Sequence, residues 1–449
     1  MYSLRVTTGL RRALGFRDLV LFYVVTTWSL RWIATAAKAG PSAIVLWIFA
    51  AAFLFVPLVF TTLELSARYP DEGGMYVWSK RAFGPFAGFI TGWMYWVTNL
   101  PYFPTLLIFA GANALFVGPP SWQALGTNTT YVTIFAVTGL TIAVTLNVIG
   151  LDIGKWLSNV GAVSGWIPLV LLCGFGLYSW ARYGSATSFT PATLAPGASL
   201  KDLVFLSTIA FAFGGVESAS TMGEEIVDAP RTVPRAVITA AVLIAAFYIV
   251  GTFCLLLALP KEQLSGVEGV MQAAQTLAVR AGAAWLVPII AALVTISVLG
   301  GIGGWFASTA RLPFVAGIDR YLPPAFGRLH PRWRTPYVAL LVQAVLAYAF
   351  VFIGQAGTTV RGAYDALVSM GVITYFIPFL YMFAATMKLT GRKVLPSLGF
   401  LVTLAAIVLA CVPADDDPDK VLAVVKIVGG SAVLVAAGAI IYYMGKRRA

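Results

Sequence analysis

The sequence predicts an all-α membrane protein of twelve transmembrane helices, with a five-plus-five inverted repeat, broken helices 1 and 6, and two extra helices. Hydrophobic residues make up 59% of the 449 residues and charged residues only 11%, whereas a soluble domain has roughly 45–50% apolar and about 25% charged residues. Twelve apolar stretches are long enough to cross about 30 Å of hydrocarbon, which takes about 20 helical residues. The first and sixth stretches are interrupted by polar residues or glycine.

The twelve predicted spans form one membrane domain over residues 1–449. In order, they cover residues 16–37, 42–66, 85–117, 129–150, 156–182, 201–223, 234–259, 284–311, 336–354, 363–388, 394–412 and 421–444. We expect residues 16–182 and 201–388 to be the two inverted repeats and residues 394–444 to be two peripheral helices.

The distribution of basic residues predicts the orientation in the membrane. The chain has 30 Lys and Arg against 18 Asp and Glu. If the N-terminus lies inside, 21 of the 30 basic residues fall on the cytoplasmic side, seven fall on the other side, and Arg31 and Lys426 lie at membrane depth. This asymmetry follows the positive-inside rule, and predicts a multi-pass protein of the plasma (inner) membrane with both termini in the cytoplasm. We expect contact with membrane lipid and no nucleic-acid partner.

The sequence gives little support for a metal site or an enzyme active site. Cys173, Cys254 and Cys411 are scattered through apolar runs with no paired spacing, and His330 is the only histidine. Neither a metal-ligand cluster nor a Ser–His arrangement inside the membrane can be assembled from these residues. We therefore expect no enzyme activity, no metal and no organic cofactor.

The sixth span carries a carboxylate near the centre of the bilayer. Its apolar run is broken by Gly214-Gly215-Val216-Glu217-Ser218. A glycine pair opens a helix at that depth only where the backbone lines a cavity or is covered by protein. An ionisable intramembrane residue indicates a functional site. Helix amides favour the ionised form of Glu217 and burial favours the protonated form, which suits a coupling carboxylate; the alternative is a glutamate that only ties spans together.

The first span is interrupted at the corresponding position by Thr26-Thr27-Trp28-Ser29-Leu30-Arg31-Trp32. Corresponding interruptions five spans apart are typical of an inverted-repeat transporter with its site at the midplane. Arg31 lies too deep to reach the interface easily and therefore needs a partner. The candidates are a substrate carboxylate, held in a bidentate fork, and Glu217. The alternative is a structural pairing with backbone carbonyls.

Four segments in the expected order resemble the amino acid–polyamine–organocation superfamily, with bacterial amino acid permeases and arginine/agmatine-type exchangers as the most similar members. They are the ELSARYPDEGGMY segment after span 2, Phe213 to Ser218 with the following Glu224-Glu225 and Pro230 to Arg235, Leu299 to Trp305 in span 8, and Asp319 to Pro323 after it. The resemblance covers nearly the whole chain.

The resemblance implies a LeuT-type fold with alternating access around a small amino acid or amine, whose charged ends are held by broken spans 1 and 6. It implies an aromatic gate at Phe211, a substrate-stacking tryptophan at Trp305, and a role for Glu217 like that of the exchanger's sixth-span glutamate. It places Asn99 of span 3 and Ser369 of span 10 at pocket-facing positions.

Two departures from the superfamily pattern stand out. The glycine-rich break of the first span, whose amides bind a substrate carboxylate, is replaced by Thr26-Thr27-Trp28, and Trp28 would crowd the site. The fifth-span lysine of some proton-coupled relatives is missing, since no basic residue lies between Lys155 and Arg182. We expect that particular coupling route to be absent.

These observations predict a secondary active transporter that moves an amino acid by alternating access, coupled to protons or driven by exchange. The substrate-binding residues would be Thr26, Thr27, Trp28, Ser29, Arg31, Asn99, Phe211, Gly214, Gly215, Glu217, Trp305 and Ser369. Four of these residues would also couple transport to its driving force or gate the site: Glu217, Arg31, Phe211 and Trp305. The alternatives are a polyamine or other organic-amine carrier and, from another class, a nontransporting membrane sensor. We expect a monomer or a homodimer.

Overall fold

The computed structural model describes residues 15–69, 73–149, 151–197, 200–218, 226–265, 267–310, 312–313, 321–333, 335–413 and 419–446. This part of the chain is helical and contains no extended strand. The helices are α1 (Phe16–Thr27), α2 (Leu30–Ala37), α3 (Ser42–Arg68), α4 (Met75–Phe83), α5 (Pro85–Val117), α6 (Thr129–Ile149), α7 (Leu151–Tyr183), α8 (Pro191–Leu194), α9 (Leu200–Phe211), α10 (Ala229–Ala258), α11 (Gly269–Arg280), α12 (Val287–Thr309), α13 (Tyr337–Gln355), α14 (Val360–Thr390), α15 (Val394–Ala410) and α16 (Lys420–Lys446).

Short irregular turns extend or bend several helices. Single π-helical turns lie within α3 at Ala51–Phe55 and within α16 at Val425–Gly429. Short 3₁₀ helices form at Pro120–Thr127, Lys261–Gln263, Ala284–Leu286 and Pro324–Gly327.

Among the described residues, nine helices are long and apolar enough to cross a membrane, and each coincides with a predicted span. The other three predicted spans differ from a single long helix. Residues 394–412 form the 17-residue helix α15. Residues 16–37 are divided between α1 and α2, and the described part of the sixth span, residues 201–218, begins as α9 and continues after Phe211 as turns.

The burial of the long helices places α5 and α14 in the centre of the bundle. Within an apolar 18-residue stretch of each helix, the share buried inside the protein is 83% for α5 and 78% for α14, whereas it is 22% for α16. Helix α5 packs against α6, α12, α13 and α14, while α10 packs against α1 and α2. The two interrupted segments therefore lie between α10 on one side and α5, α12 and α14 on the other.

Close helix packing depends on glycine where α7 meets α12. A Cβ atom added to Gly161 would lie 2.8 Å from the Cα of Gly300, so the two backbones touch only because both residues lack side chains. Small residues at helix contacts are the usual means of close packing in membranes, where the hydrophobic effect does not drive helices together.

The structure assigns partners to two charged groups that the sequence left open. Lys426, which the sequence places at membrane depth, donates hydrogen bonds from Nζ to the carbonyl oxygens of Gly354 (2.9 Å) and Ala356 (2.5 Å) at the end of α13. A cation at these carbonyls complements the negative end of the helix dipole. Glu64 forms an ion pair with Arg68 (2.7 Å) in the last turns of α3.

Candidate functional site

The first interruption comprises Thr26 and Thr27, which end α1, and the two extended residues that follow them before α2 begins. Trp28 has φ −85° and ψ 137°, and Ser29 has φ −149° and ψ 135°. The hydroxyl of Thr26 donates back to the carbonyl of Phe22 (2.9 Å), which closes the last turn of α1. Polar residues at this point give the chain local hydrogen-bond partners where helical ones are lost.

The second interruption follows α9. The chain from Ala212 to Glu217 makes successive turns, and Gly215 has φ +127°, a region that side-chain-bearing residues rarely adopt. A Cβ atom on Gly215 would lie 2.6 Å from Thr27 Oγ1 and 2.9 Å from the carbonyl oxygen of Thr26. The two interruptions are thus in direct backbone contact, and glycine is required there both for its φ angle and for the close approach.

A tyrosine of α10 joins the two interruptions. The hydroxyl of Tyr248 lies within hydrogen-bonding distance of the carbonyl oxygens of Thr27 (2.8 Å) and Ala212 (3.0 Å), and it accepts from the N–H of Ser29 (3.3 Å). Tyr248 is fully buried and stacks on Trp47, with ring centroids 4.3 Å apart. One side chain therefore serves backbone groups that lost their helical partners, as hydrocarbon surroundings demand.

Tyr248→Phe is expected to lower the free energy of unfolding by about 1–3 kcal/mol, because it leaves buried backbone groups without a partner. A thermal unfolding curve of the detergent-purified variant checks this. Tyr348→Phe is the matched control, since its hydroxyl lies 2.8 Å from Thr141 Oγ1 at an exposed position. Equal midpoints for the two variants would contradict the bridging role of Tyr248.

Three donors converge on the carboxylate of Glu217, which is fully buried. The hydroxyl of Tyr95 donates to Oε1 (2.9 Å), and the hydroxyl of Tyr375 donates to the same oxygen. The N–H of Gly215 donates to Oε2 (2.9 Å). The carboxylate thus ties the second interruption to α5, which carries Tyr95, and to α14, which carries Tyr375.

Arg31 does not pair with Glu217, so this predicted pairing is wrong for the structure described here. The guanidinium is fully buried, and its Nη1 donates to Thr105 Oγ1 of α5 (2.7 Å). Its central carbon lies 3.9 Å from the ring centroid of Trp32 and 4.6 Å from that of Tyr102. The two charges are held apart because each has its own set of polar and aromatic neighbours.

A cavity lies where the two interruptions meet, and we call it cavity 1. It contains about 370 Å³ of empty space, including space open to its surroundings. Its polar lining residues are Thr26, Thr27, Thr98 and Asn99. Its aromatic lining residues are Trp32, Tyr102, Phe211, Trp305 and Tyr375, and Gly214 completes the wall. The arrangement offers hydrogen-bonding groups from α1 and α5 together with ring faces from α2, α5, α9, α12 and α14.

A second cavity, cavity 2, shares three lining residues with cavity 1: Thr26, Tyr102 and Trp305. It contains about 630 Å³ of empty space, also counting space open to its surroundings. The remaining lining residues are Trp28, Ser29, Leu30, Leu106, Phe109, Gly161, Val294, Ser297, Val298 and Gly301. The shared residues make the Trp305 indole a wall between the two spaces.

Eight of the twelve residues predicted for the site line one or both cavities. Thr27, Asn99, Phe211 and Gly214 line cavity 1; Trp28 and Ser29 line cavity 2; Thr26 and Trp305 line both. Trp28 therefore does not crowd cavity 1. Arg31, Gly215 and Glu217 lie behind the lining residues. Ser369 is half-buried on α14 and lines neither cavity; Tyr375 is the residue of α14 that faces cavity 1, so the register expected for Ser369 is corrected.

Sequence reasoning missed Tyr95, Tyr248 and Tyr375. A signal for Tyr95 exists, because Tyr95, Asn99 and Tyr102 are spaced i, i+4, i+7 and share one helix face. Tyr248 sits in an apolar run, and Tyr375 follows Thr374 in a run that is otherwise apolar, so neither is marked by a polar cluster. The predicted residues Glu224 and Glu225 lie outside the described part of the chain.

Comparison with a solved structure defines the fold type of the protein. A structure of MhsT in complex with L-phenylalanine superimposes with a TM-score of 0.61 over 97% of this chain and 100% of that chain, at 14% identity. The fold of the protein is therefore of the LeuT type.

The chain belongs to the amino acid permease family, whose family model matches residues 14–441. An uncharacterised transporter of Legionella pneumophila is 27% identical over 429 residues, covering 91% of this chain and 92% of that protein. A probable agmatine/putrescine antiporter of Lactococcus lactis is 23% identical over 425 residues, covering 91% and 90%. A serine/threonine exchanger of Bacillus subtilis is 25% identical over 340 residues, covering 74% and 72%.

Proposed function

We infer that the protein is a secondary active transporter that moves an amino acid across the plasma membrane by alternating access, with both termini in the cytoplasm. The observation that carries this inference is cavity 1, which is built at the contact of two helix interruptions and is lined by both. Such a site offers a substrate the backbone and hydroxyl groups of broken helices together with aromatic walls.

The substrate would occupy cavity 1 with its amino group toward Asn99 and Tyr375. Tyr375 lines cavity 1 and also donates to Glu217, so its hydroxyl connects the cavity to the buried carboxylate. A change in the protonation of Glu217 would rearrange this hydrogen bond and so affect a bound amine. Transport would be driven by proton coupling through Glu217 or by exchange of one substrate for another.

Alternating access would come from movement of the interrupted segments against the rest of the bundle. Tyr248 bonds both interruptions to α10, which supports their motion together with α10 as one unit. The opposing unit would include α5 and α12, which pack on each other. Residues 16–182 and 201–388 would be the two inverted repeats of a twelve-span protein, with residues 394–444 at its periphery.

A carrier of polyamines or other organic amines is the second candidate. It is favoured by Glu217, a buried carboxylate one hydroxyl away from cavity 1, which suits recognition of a cation. The names of two relatives, an agmatine/putrescine antiporter and a serine/threonine exchanger, support both candidates equally.

Uptake by purified protein in proteoliposomes tests the proposal. The assay uses a panel of labelled amino acids and their amines, with an imposed proton gradient, with an imposed sodium gradient, or with unlabelled substrate inside. We expect saturable uptake of at least one amino acid that needs either the proton gradient or internal substrate. Binding of these compounds without uptake under every condition would contradict the proposal and favour a nontransporting sensor.

Trp305→Ala is expected to raise the KM of uptake at least about tenfold, because the indole forms the wall shared by cavities 1 and 2 and is a large contact surface for a bound substrate. Trp305→Phe should recover part of the loss. The matched control is Trp285→Ala, near the start of α12, since Trp285 is 69% exposed. An unchanged KM in Trp305→Ala would show that Trp305 does not contribute to substrate binding.

A further inference from the structure

Arg31 has a buried guanidinium whose hydrogen-bonding capacity is mostly unused by the protein. Its Nη1 donates to Thr105, and that hydroxyl in turn donates to the carbonyl of Tyr102 (2.7 Å). Its Nε and Nη2 have no hydrogen-bond partner among the described residues. Burial of a guanidinium is costly unless its donors are paired, so these two nitrogens indicate a missing acceptor.

The acceptor is not a carboxylate of the described protein. Ion pairs in this part of the chain join Glu64 to Arg68 and Asp228 to Arg231, and Arg31 belongs to neither. The carboxylate of Glu217 is instead held by two tyrosine hydroxyls and an amide. The positive charge of Arg31 is stabilised in the described residues by one hydroxyl and two aromatic faces, and by no formal negative charge.

The two unpartnered nitrogens have a specific geometry. Nε–H and one N–H of Nη2 point in parallel from the same edge of the planar guanidinium. This edge matches the two oxygens of a carboxylate and gives a bidentate pair of charge-assisted hydrogen bonds. The contact with Thr105 uses the other terminal nitrogen, Nη1, and leaves this edge intact.

Arg31 is also placed next to cavity 1. The two rings that lie against its guanidinium, those of Trp32 and Tyr102, both line that cavity. Trp32 in turn contacts the ring of Phe211 edge-on, with centroids 5.3 Å apart. A small movement of these rings would bring a ligand in cavity 1 to the guanidinium.

The geometry points to the Nε/Nη2 edge of Arg31 as the site for the carboxylate of the substrate, so that the transporter selects amino acids over the amines formed by their decarboxylation. This inference rests on the proposed transport function and specifies its substrate class. It also accounts for the first interruption, where Thr26, Thr27 and Trp28 offer no glycine amides and a side chain takes over carboxylate binding.

The test compares each amino acid with its decarboxylated amine in the proteoliposome assay, using the pairs arginine and agmatine, ornithine and putrescine, and phenylalanine and phenylethylamine. The variants are Arg31→Gln, which removes the charge, and Arg31→Lys, which keeps the charge but loses the fork. Lys426→Gln is the matched control, because it removes the other basic residue at membrane depth and lines neither cavity.

For a transported pair, we expect the wild type to prefer the amino acid. Arg31→Gln should lower kcat/KM for the amino acid about 10- to 100-fold, which corresponds to loss of a hydrogen-bonded charged group, and leave the amine nearly unaffected. The preference of Arg31→Lys for the amino acid over the amine should lie between those of the wild type and Arg31→Gln. Lys426→Gln should keep the wild-type ratio of kcat/KM for the two compounds.

Two results would overturn the inference: a wild-type preference for the amine, or an unchanged ratio of amino acid to amine in Arg31→Gln. An unchanged ratio that comes from an equal loss for both compounds would assign Arg31 a purely structural role, and a thermal unfolding curve of each variant would show the accompanying instability. Failure of the wild type to transport any compound is a different outcome, because it would refute the proposed function itself.

Discussion

Gly215→Ala is expected to abolish transport and to lower the free energy of unfolding by about 2–5 kcal/mol. An alanine at φ +127° is strained, and its Cβ would lie 2.9 Å from the carbonyl oxygen of Thr26 and 3.0 Å from the Cα of Thr27. These neighbours are largely backbone, so they cannot move aside as a flexible side chain would. The substitution would push the two interruptions apart and distort cavity 1, which they build together.

The measurement is substrate uptake together with a thermal unfolding midpoint for the purified variant. Gly174→Ala in α7 is the matched control, because a Cβ atom there would meet nothing within 4 Å and alanine favours a helix more than glycine does. We expect this control to transport normally. Wild-type uptake in Gly215→Ala would show that the contact between the interruptions is not needed for function.

Glu217→Gln is expected to reduce uptake at least about tenfold. A carboxylate accepts hydrogen bonds with both oxygens, whereas a glutamine amide places a donor on one side. If the amide nitrogen replaces Oε2, it faces the N–H of Gly215; if it replaces Oε1, the hydroxyls of Tyr95 and Tyr375 lose the acceptor of their protons. Leaving a buried donor unpaired costs about 1–3 kcal/mol, which is enough to shift the structure of the second interruption.

Uptake measured over a range of pH separates coupling from structural support. If Glu217 couples transport to protons, residual uptake by Glu217→Gln should lose the pH dependence of the wild type. Tyr375→Phe, which removes one donor but keeps the carboxylate, should retain that dependence at a lower rate. Wild-type pH dependence in Glu217→Gln would assign Glu217 to the structural role of tying α5 and α14 to the second interruption.

The long helices could be predicted from the sequence because apolar runs of sufficient length have few other stable structures in a membrane. Both interruptions were also predictable, since Thr26-Thr27-Trp28-Ser29 and Gly214-Gly215 disturb otherwise apolar runs. The pairing across the bundle was not predictable. Arg31 lies in the first turn of α2, just after the first interruption, and Glu217 lies in the second interruption, yet Arg31 contacts Thr105 while Glu217 accepts from Tyr95 and Tyr375.

The faces that the lining helices turn toward cavity 1 were not fully predictable either. Asn99 and Trp305 line cavity 1, whereas Ser369, which was expected to face the pocket, does not line it and Tyr375 of the same helix does. On a helix that is buried on most sides, such as α14, hydrophobic periodicity does not show which face is turned to the site, since nearly every position is apolar. The role of Tyr248 was hidden for a similar reason, because its hydroxyl serves backbone groups of two other segments.

Accessibility of cavity 1 from both sides of the membrane tests the central claim most directly. Cys173, Cys254 and Cys411 are replaced by serine or alanine, and Thr98, which lines cavity 1, is changed to cysteine. A membrane-impermeant thiol reagent is then applied to either side of oriented vesicles, with and without a transported substrate. Alternating access predicts labelling from each side of the membrane and protection by the substrate. Labelling that the substrate does not change, or that occurs from one side under all conditions, would contradict alternating access through cavity 1.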